Sequence, residues 1–121
     1  MTSRLAFRIS AALGFVAVAL GAFGAHGLEE VLRRHDRVDT WETAVLYHFV
    51  HVLMMALLAA REPFARGPWV IFLAGIVIFS GSLYVLSLTN LRWLGAITPL
   101  GGVTFLVGWG WLAVAGVKRE P

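Results

Sequence analysis

The sequence contains no cysteine. That excludes disulfides, a thiolate nucleophile and every Cys-based metal site. Charge is almost as scarce. Asp, Glu, Lys and Arg make up 14% of the 121 residues, against ~25% in a soluble domain. From Gly67 to Val117 the only charged residue is Arg92. A water-soluble domain of this size cannot keep so long a stretch out of water, so its solvent has to be lipid. No carboxylate falls within an apolar run; Glu42 stands at the outer edge of one. That argues against the dimeric drug–proton antiporters of similar size, which depend on a membrane-embedded glutamate.

What fills the chain is apolar. Hydrophobic residues are 59% before the 13 glycines are counted. Four runs stand out, at about 5–25, 40–60, 69–89 and 94–117. Each is near the ~20 residues that a helix needs to cross ~30 Å of hydrocarbon. The second run is extended to Thr40 by reading "DTWE" as a capping box, with Asp39 as N-cap and Glu42 three residues on. The connections "REPFARGP" and "NLRW" are short, which forces antiparallel neighbours. The expected fold is an all-α membrane protein, an up-down bundle of four transmembrane helices forming one integral membrane domain over 1–121.

The first run could be read as a signal peptide, with Arg4 and Arg8 as its basic region. Its length exceeds the usual ~7–15-residue core. Ser10, Gly14, Ala17, Gly21 and Ala25 also form one small-residue stripe, a face on which another helix packs in lipid. The glycines of "PLGGVTFLVGWG", Gly101 and Gly108 among them, have the same use, and no phosphate loop is implied. Pro99 is expected to kink the fourth span. Between the first two spans, Leu28, Val31, Leu32, His35 and Val38 share one helical face and the charges take the other. This predicts a short amphipathic helix resting on the headgroups.

Orientation follows the basic residues. Arg4, Arg8, Arg61, Arg66, Lys118 and Arg119 share the side of the termini; Arg33, Arg34, Arg37 and Arg92 lie opposite. Both termini are therefore expected in the cytoplasm. The bases flank apolar runs and make no single patch, so no nucleic-acid partner is expected despite the net charge of +3. Trp41, Trp69 and Trp93 are placed at the interfaces as an aromatic belt, and Trp109 and Trp111 near the inner end.

The word strings "GAFGAHGL", "YHFVH", "FSGSLYVLSLTN" and "LGAITPLGGVTFLVGW" occur in this order. In order and spacing they resemble the small membrane-protein family known as domain of unknown function 423, or uncharacterised protein family 0382. The eukaryotic transmembrane protein 256 is similar. The resemblance spans about 11–116. It implies a multi-pass protein of the bacterial inner membrane and no activity. It also implies that another polar residue, such as glutamine, often stands where this chain has His48, whereas His51 fits the family pattern.

Within the oily run "TAVLYHFVHVLMMALLAA" lie Tyr47, His48 and His51. Counting depth from the predicted span ends at ~1.5 Å per residue puts His48 ~6 Å and His51 ~10 Å into the lipid. Ser82, Tyr84 and Thr98 fall at matching depths on the same side, at ~10, ~7 and ~6 Å. These six form the candidate polar cluster in the outer half of the bilayer. Its structural reading is a hydrogen-bond network that fixes helix register. Its functional reading is a site for a small molecule, proton or metal. His-x-x-His, with Met55 or His26 nearby, falls short of a zinc ligand set, and haem lacks a second axial ligand. No metal or cofactor is therefore expected. No nucleophile–base–orienter set is evident, so no enzyme is expected. The expected partners are the lipid bilayer and either a second copy or a larger membrane complex, in a structural or accessory role. The alternative is a small oligomeric transporter or channel.

Overall fold

The structure is a computed structural model that describes residues 1–116. Four helical spans, Ser3–Ala25, Val38–Ala60, Arg66–Thr89 and Arg92–Ala115, are long and apolar enough to cross a membrane. They run up and down, as the short connections require. The first span is α1 (Ser3–Ala25). A short helix α2 (Glu29–Arg34) follows, then α3 (Val38–Ala60). The third span is α4 (Arg66–Gly75), a π turn (Ile76–Ser80) and α5 (Gly81–Thr89). The fourth is a 3-10 segment (Arg92–Ala96) and α6 (Thr98–Ala115). Val117, the expected end of the fourth span, and the bases Lys118 and Arg119 lie outside the described residues.

Several boundaries differ from the sequence reading. The capping box does not form. Helix α3 begins at Val38, with Arg37 as N-cap and no side-chain cap. Asp36 takes a left-handed φ of 56°, which turns the chain from α2 straight into α3. Asp39 then sits in the first helical turn, where its charge favours the positive end of the helix dipole. Pro99 kinks nothing, because α6 starts one residue before it. A proline ring there would clash with the carbonyl four residues back, and the chain meets this with 3-10 geometry over Arg92–Ala96. Asn90 ends α5 in the left-handed conformation (φ 56°) that asparagine tolerates, its N–H donating to the Leu86 carbonyl.

The amphipathic segment is helical, and it docks on the bundle rather than only resting on lipid. Leu32 is fully buried. His35 Nδ1 lies 2.9 Å from the Ser87 carbonyl, and Arg37 Nε donates to Asn90 Oδ1 at 3.3 Å. Both tie the α2 end of the fold to the end of α5.

The core is built by the two middle spans. Val52, Met55, Leu58, Trp69, Phe72 and Ile76 pack with Ala6 and Phe105. The flanking spans close on this centre at places without side chains. A Cβ on Gly24 would overlap the Trp41 indole, and one on Gly101 would overlap the Phe79 backbone within the π turn. Gly108 has the Phe72 ring 2.6 Å from the position of a Cβ. Gly14 and Gly21 are looser, with Val52 and Val45 methyls at 3.3 and 3.4 Å.

Two tryptophans depart from the aromatic belt. Trp41 is 2% exposed and Trp69 1%. Trp41 Nε1 donates to the Leu20 carbonyl at 2.9 Å, and Trp69 Nε1 to Ser10 Oγ at 3.0 Å. An indole N–H is a donor that hydrocarbon cannot satisfy, so each ring is held against a neighbouring span. Trp93 stays exposed.

Candidate functional site

The six candidate residues resolve into separate pairs. Histidines three apart on a helix lie ~60° around the axis from each other. His48 and His51 are both buried, at 3% and 4% exposure, but they address different neighbours. His48 Nδ1 lies 2.8 Å from the Tyr84 hydroxyl on α5. Its Nε2 is buried and has no hydrogen-bond partner among the described residues. Tyr84 also packs on Trp41, with ring centroids 4.8 Å apart.

His51 takes the opposite direction, toward α6. Its Nδ1 lies 2.7 Å from the Tyr47 carbonyl, which can only accept, so Nδ1 carries the proton. Nε2 is then a bare acceptor, and Trp109 Nε1 donates to it at 2.9 Å. The ring stacks on Phe105 at 3.7 Å between centroids and 11° between planes. Neutral imidazole has one donor and one acceptor, and both are used here. The third pair is Ser82 Oγ and Thr98 Oγ1, 2.7 Å apart between α5 and α6. Ser82 also donates to Phe79 O, and Thr98 Oγ1 reaches the Leu94 carbonyl at 3.3 Å.

Tyr47 does not turn inward. It is 41% exposed, its ring lying against Phe79 and Phe105. The candidate cluster of Tyr47, His48, His51, Ser82, Tyr84 and Thr98 therefore divides. Depth explains part of this. With α3 starting at Val38, His51 lies thirteen residues, about 20 Å, along the helix, nearer the bilayer midplane than the outer surface.

Sequence reasoning missed three participants. Counting along the fourth span puts Trp109 near the inner interface. It stands six residues before the end of α6, whereas His51 stands nine before the end of α3. Helical side chains lean toward the N-terminus, which carries a long indole up by most of that difference. Ser80 Oγ donates to the Ala44 carbonyl at 2.8 Å and joins the π turn to α3. Trp41 underlies Tyr84. Among the described residues no three His, Asp or Glu side chains converge.

A bundle of four membrane-length helices, joined by hydrogen bonds such as Ser82–Thr98 and Trp109–His51 between spans, makes this a multi-pass α-helical membrane protein. The chain belongs to the family described as "Protein of unknown function (DUF423)", which matches residues 20–102. It is similar to the UPF0382 membrane protein YwdK of Bacillus subtilis (strain 168), at 47% identity over 85% of this chain and 88% of the relative. A UPF0382 membrane protein of Staphylococcus epidermidis is 45% identical over 85% of this chain and 87% of its own length. The UPF0382 inner membrane protein YgdD of Escherichia coli (strain K12) is 40% identical over 99% of this chain and 95% of its own length. No solved structure matches.

Proposed function

We propose that this protein is a structural or accessory component of the bacterial inner membrane, a bundle that packs with copies of itself or with a larger complex and carries out no catalysis. The observation that supports this is the bonding of His51. It is a titratable group near the bilayer centre, the kind of residue that marks a proton or substrate path. Here both nitrogens are engaged and the ring is clamped on Phe105. A proton added at Nε2 would break the Trp109 bond, since both would then be donors. The transporter reading draws on His48, whose buried Nε2 has no partner.

The two readings differ in a direct measurement. Protein reconstituted into liposomes with a pH-sensitive dye inside is expected to leak protons no faster than empty liposomes. Cross-linking in cells, followed by mass spectrometry, is expected to capture the chain with itself or with defined membrane proteins. A proton flux that His48→Gln abolishes would replace the structural reading with the transporter.

The orientation belongs to the same proposal. Arg4, Arg8, Arg61 and Arg66 lie at the end of the bundle away from α2, which supports a cytoplasmic location for that end. Single cysteines report cleanly in a chain that has none. Arg34→Cys is expected to react with a membrane-impermeant maleimide in cells whose outer membrane has been permeabilised. Glu62→Cys should react only after the inner membrane is opened. The reverse pattern would invert the topology.

A further inference from the structure

The packed seam between α1 and α3 is flanked by two depressions that face the bilayer. The first, near α2, is a cavity of ≈ 540 Å³, within the ~300–1,000 Å³ range of small-molecule sites. The walls change character with depth. Glu29, Arg33 and Glu42 form the rim, while Val45, Leu46 and Phe49 line the part that descends into the hydrocarbon. A second depression of ≈ 510 Å³ lies beside the same two helices, lined by Ala11, Gly14, Phe15, Val18 and by Phe49, which also lines the first. From Ala25 to Ala11 the two depressions together cover fourteen residues of α1, ~21 Å. One leaflet of hydrocarbon is ~15 Å deep, half of the full core. Gly21 lines the first depression and Gly14 the second, while Phe15 and Val18 stand exposed along them.

The rim also has a charge pattern. Arg33 pairs with Glu29 at 2.5 Å. Glu42 is exposed and has no ion-pair partner among the described residues. A ligand here thus meets, on the rim of one cavity, the free carboxylate of Glu42 and the guanidinium of Arg33, above apolar walls. We infer that the α1–α3 seam binds one phospholipid with a primary ammonium headgroup, of the phosphatidylethanolamine type. Its ammonium lies at Glu42, its phosphate at Arg33 and one acyl chain along Val45, Phe49 and Val18. A trimethylated headgroup has no N–H to donate to the carboxylate, and an anionic glycerol headgroup has no cation.

The test is native mass spectrometry of the protein released from nanodiscs made with equal parts phosphatidylethanolamine, phosphatidylcholine and phosphatidylglycerol. One retained lipid per chain is expected. Phosphatidylethanolamine should exceed phosphatidylcholine by about threefold, in keeping with an exposed ion pair. Glu42→Gln should erase that preference, and Glu30→Gln, which changes an acid outside the groove, should keep it. Val18→Trp should fill the second depression and lower retention of all three lipids. Glu42 is exposed and its side chain bonds to nothing among the described residues, so its variant is expected to fold even where the tryptophan variant does not. Equal retention of the three lipids, or an ethanolamine preference that survives Glu42→Gln, overturns the assignment. So does a lipid-free dimer cross-linked through Val18→Cys, because a second copy would then occupy the seam.

Discussion

Gly101→Ala is expected to destabilise the bundle by about 1–3 kcal/mol, the range of overpacked cores, although it adds one methyl group. The reason is what that methyl would meet. At Gly101 the nearest atoms are the Phe79 backbone N and Cα, which cannot rotate away as a side chain can. The only response is to move α6 off the third span. That motion would stretch the Ser82–Thr98 bond and the packing of Phe79 on Phe105. Helix propensity works in the other direction, since alanine is favoured over glycine by ~1 kcal/mol in a helix interior. Gly110→Ala isolates that term, because nothing lies within 4 Å of its Cβ position. Gly102→Ala is a second control, with only Phe79 Cδ2 at 4.0 Å. Thermal melts in detergent should place Gly101→Ala well below the parent and both controls at or above it. Gly108→Ala should fall between, as the Phe72 ring can turn. Equal melting of Gly101→Ala and Gly110→Ala would mean that α6 does not approach the π turn so closely.

The sequence carried the spans because a run of twenty apolar residues has one stable use in water-filled cells. It carried α2 because charge and hydrophobicity alternate at helical period from Leu28 to Val38. It did not carry the π turn. Gly75 and Gly81 flank it, but nothing local distinguishes that register from an ordinary helix; the turn is met by Gly101 and by the Ser80–Ala44 bond from other spans. The tryptophans show the same limit. A tryptophan near a span end satisfies its N–H equally well with headgroup water or with a carbonyl one helix away. For Trp41 and Trp69 the choice fell to Gly24 and Ser10 on α1, far off in sequence. The polar cluster was legible as a set of residues of similar depth. How it divides depends on helix rotation, which a single sequence leaves open.

His51→Ala is expected to cost about 2–4 kcal/mol, the range for a buried side chain lost together with a hydrogen bond. Two losses combine. The stack on Phe105 disappears and leaves a void between α3 and α6. The Trp109 N–H loses its acceptor at a depth where little water can replace it. The Tyr47 carbonyl loses least, since it also accepts the helical N–H of residue 51. His51→Gln should recover part of the loss, because its amide oxygen can accept from Trp109 although it cannot stack. Trp109→Phe removes the same bond from the other side. The double variant should therefore be less destabilised than the sum of the two, by ~0.6 kcal/mol and at most ~1.7 kcal/mol, the measured span for interhelical bonds in lipid. Thr98→Val behaves differently. It breaks the Ser82 pair, which shares no partner with His51, so its effect should add to that of His51→Ala. His48→Gln should be nearly silent, provided that glutamine keeps the bond to Tyr84. The measurement is a set of melting curves in one detergent, with metal content determined on the same samples. Additive His51 and Trp109 changes would show that their hydrogen bond contributes nothing. Stoichiometric metal in the parent, lost in both histidine variants, would overturn the structural role and make the pair a ligand site.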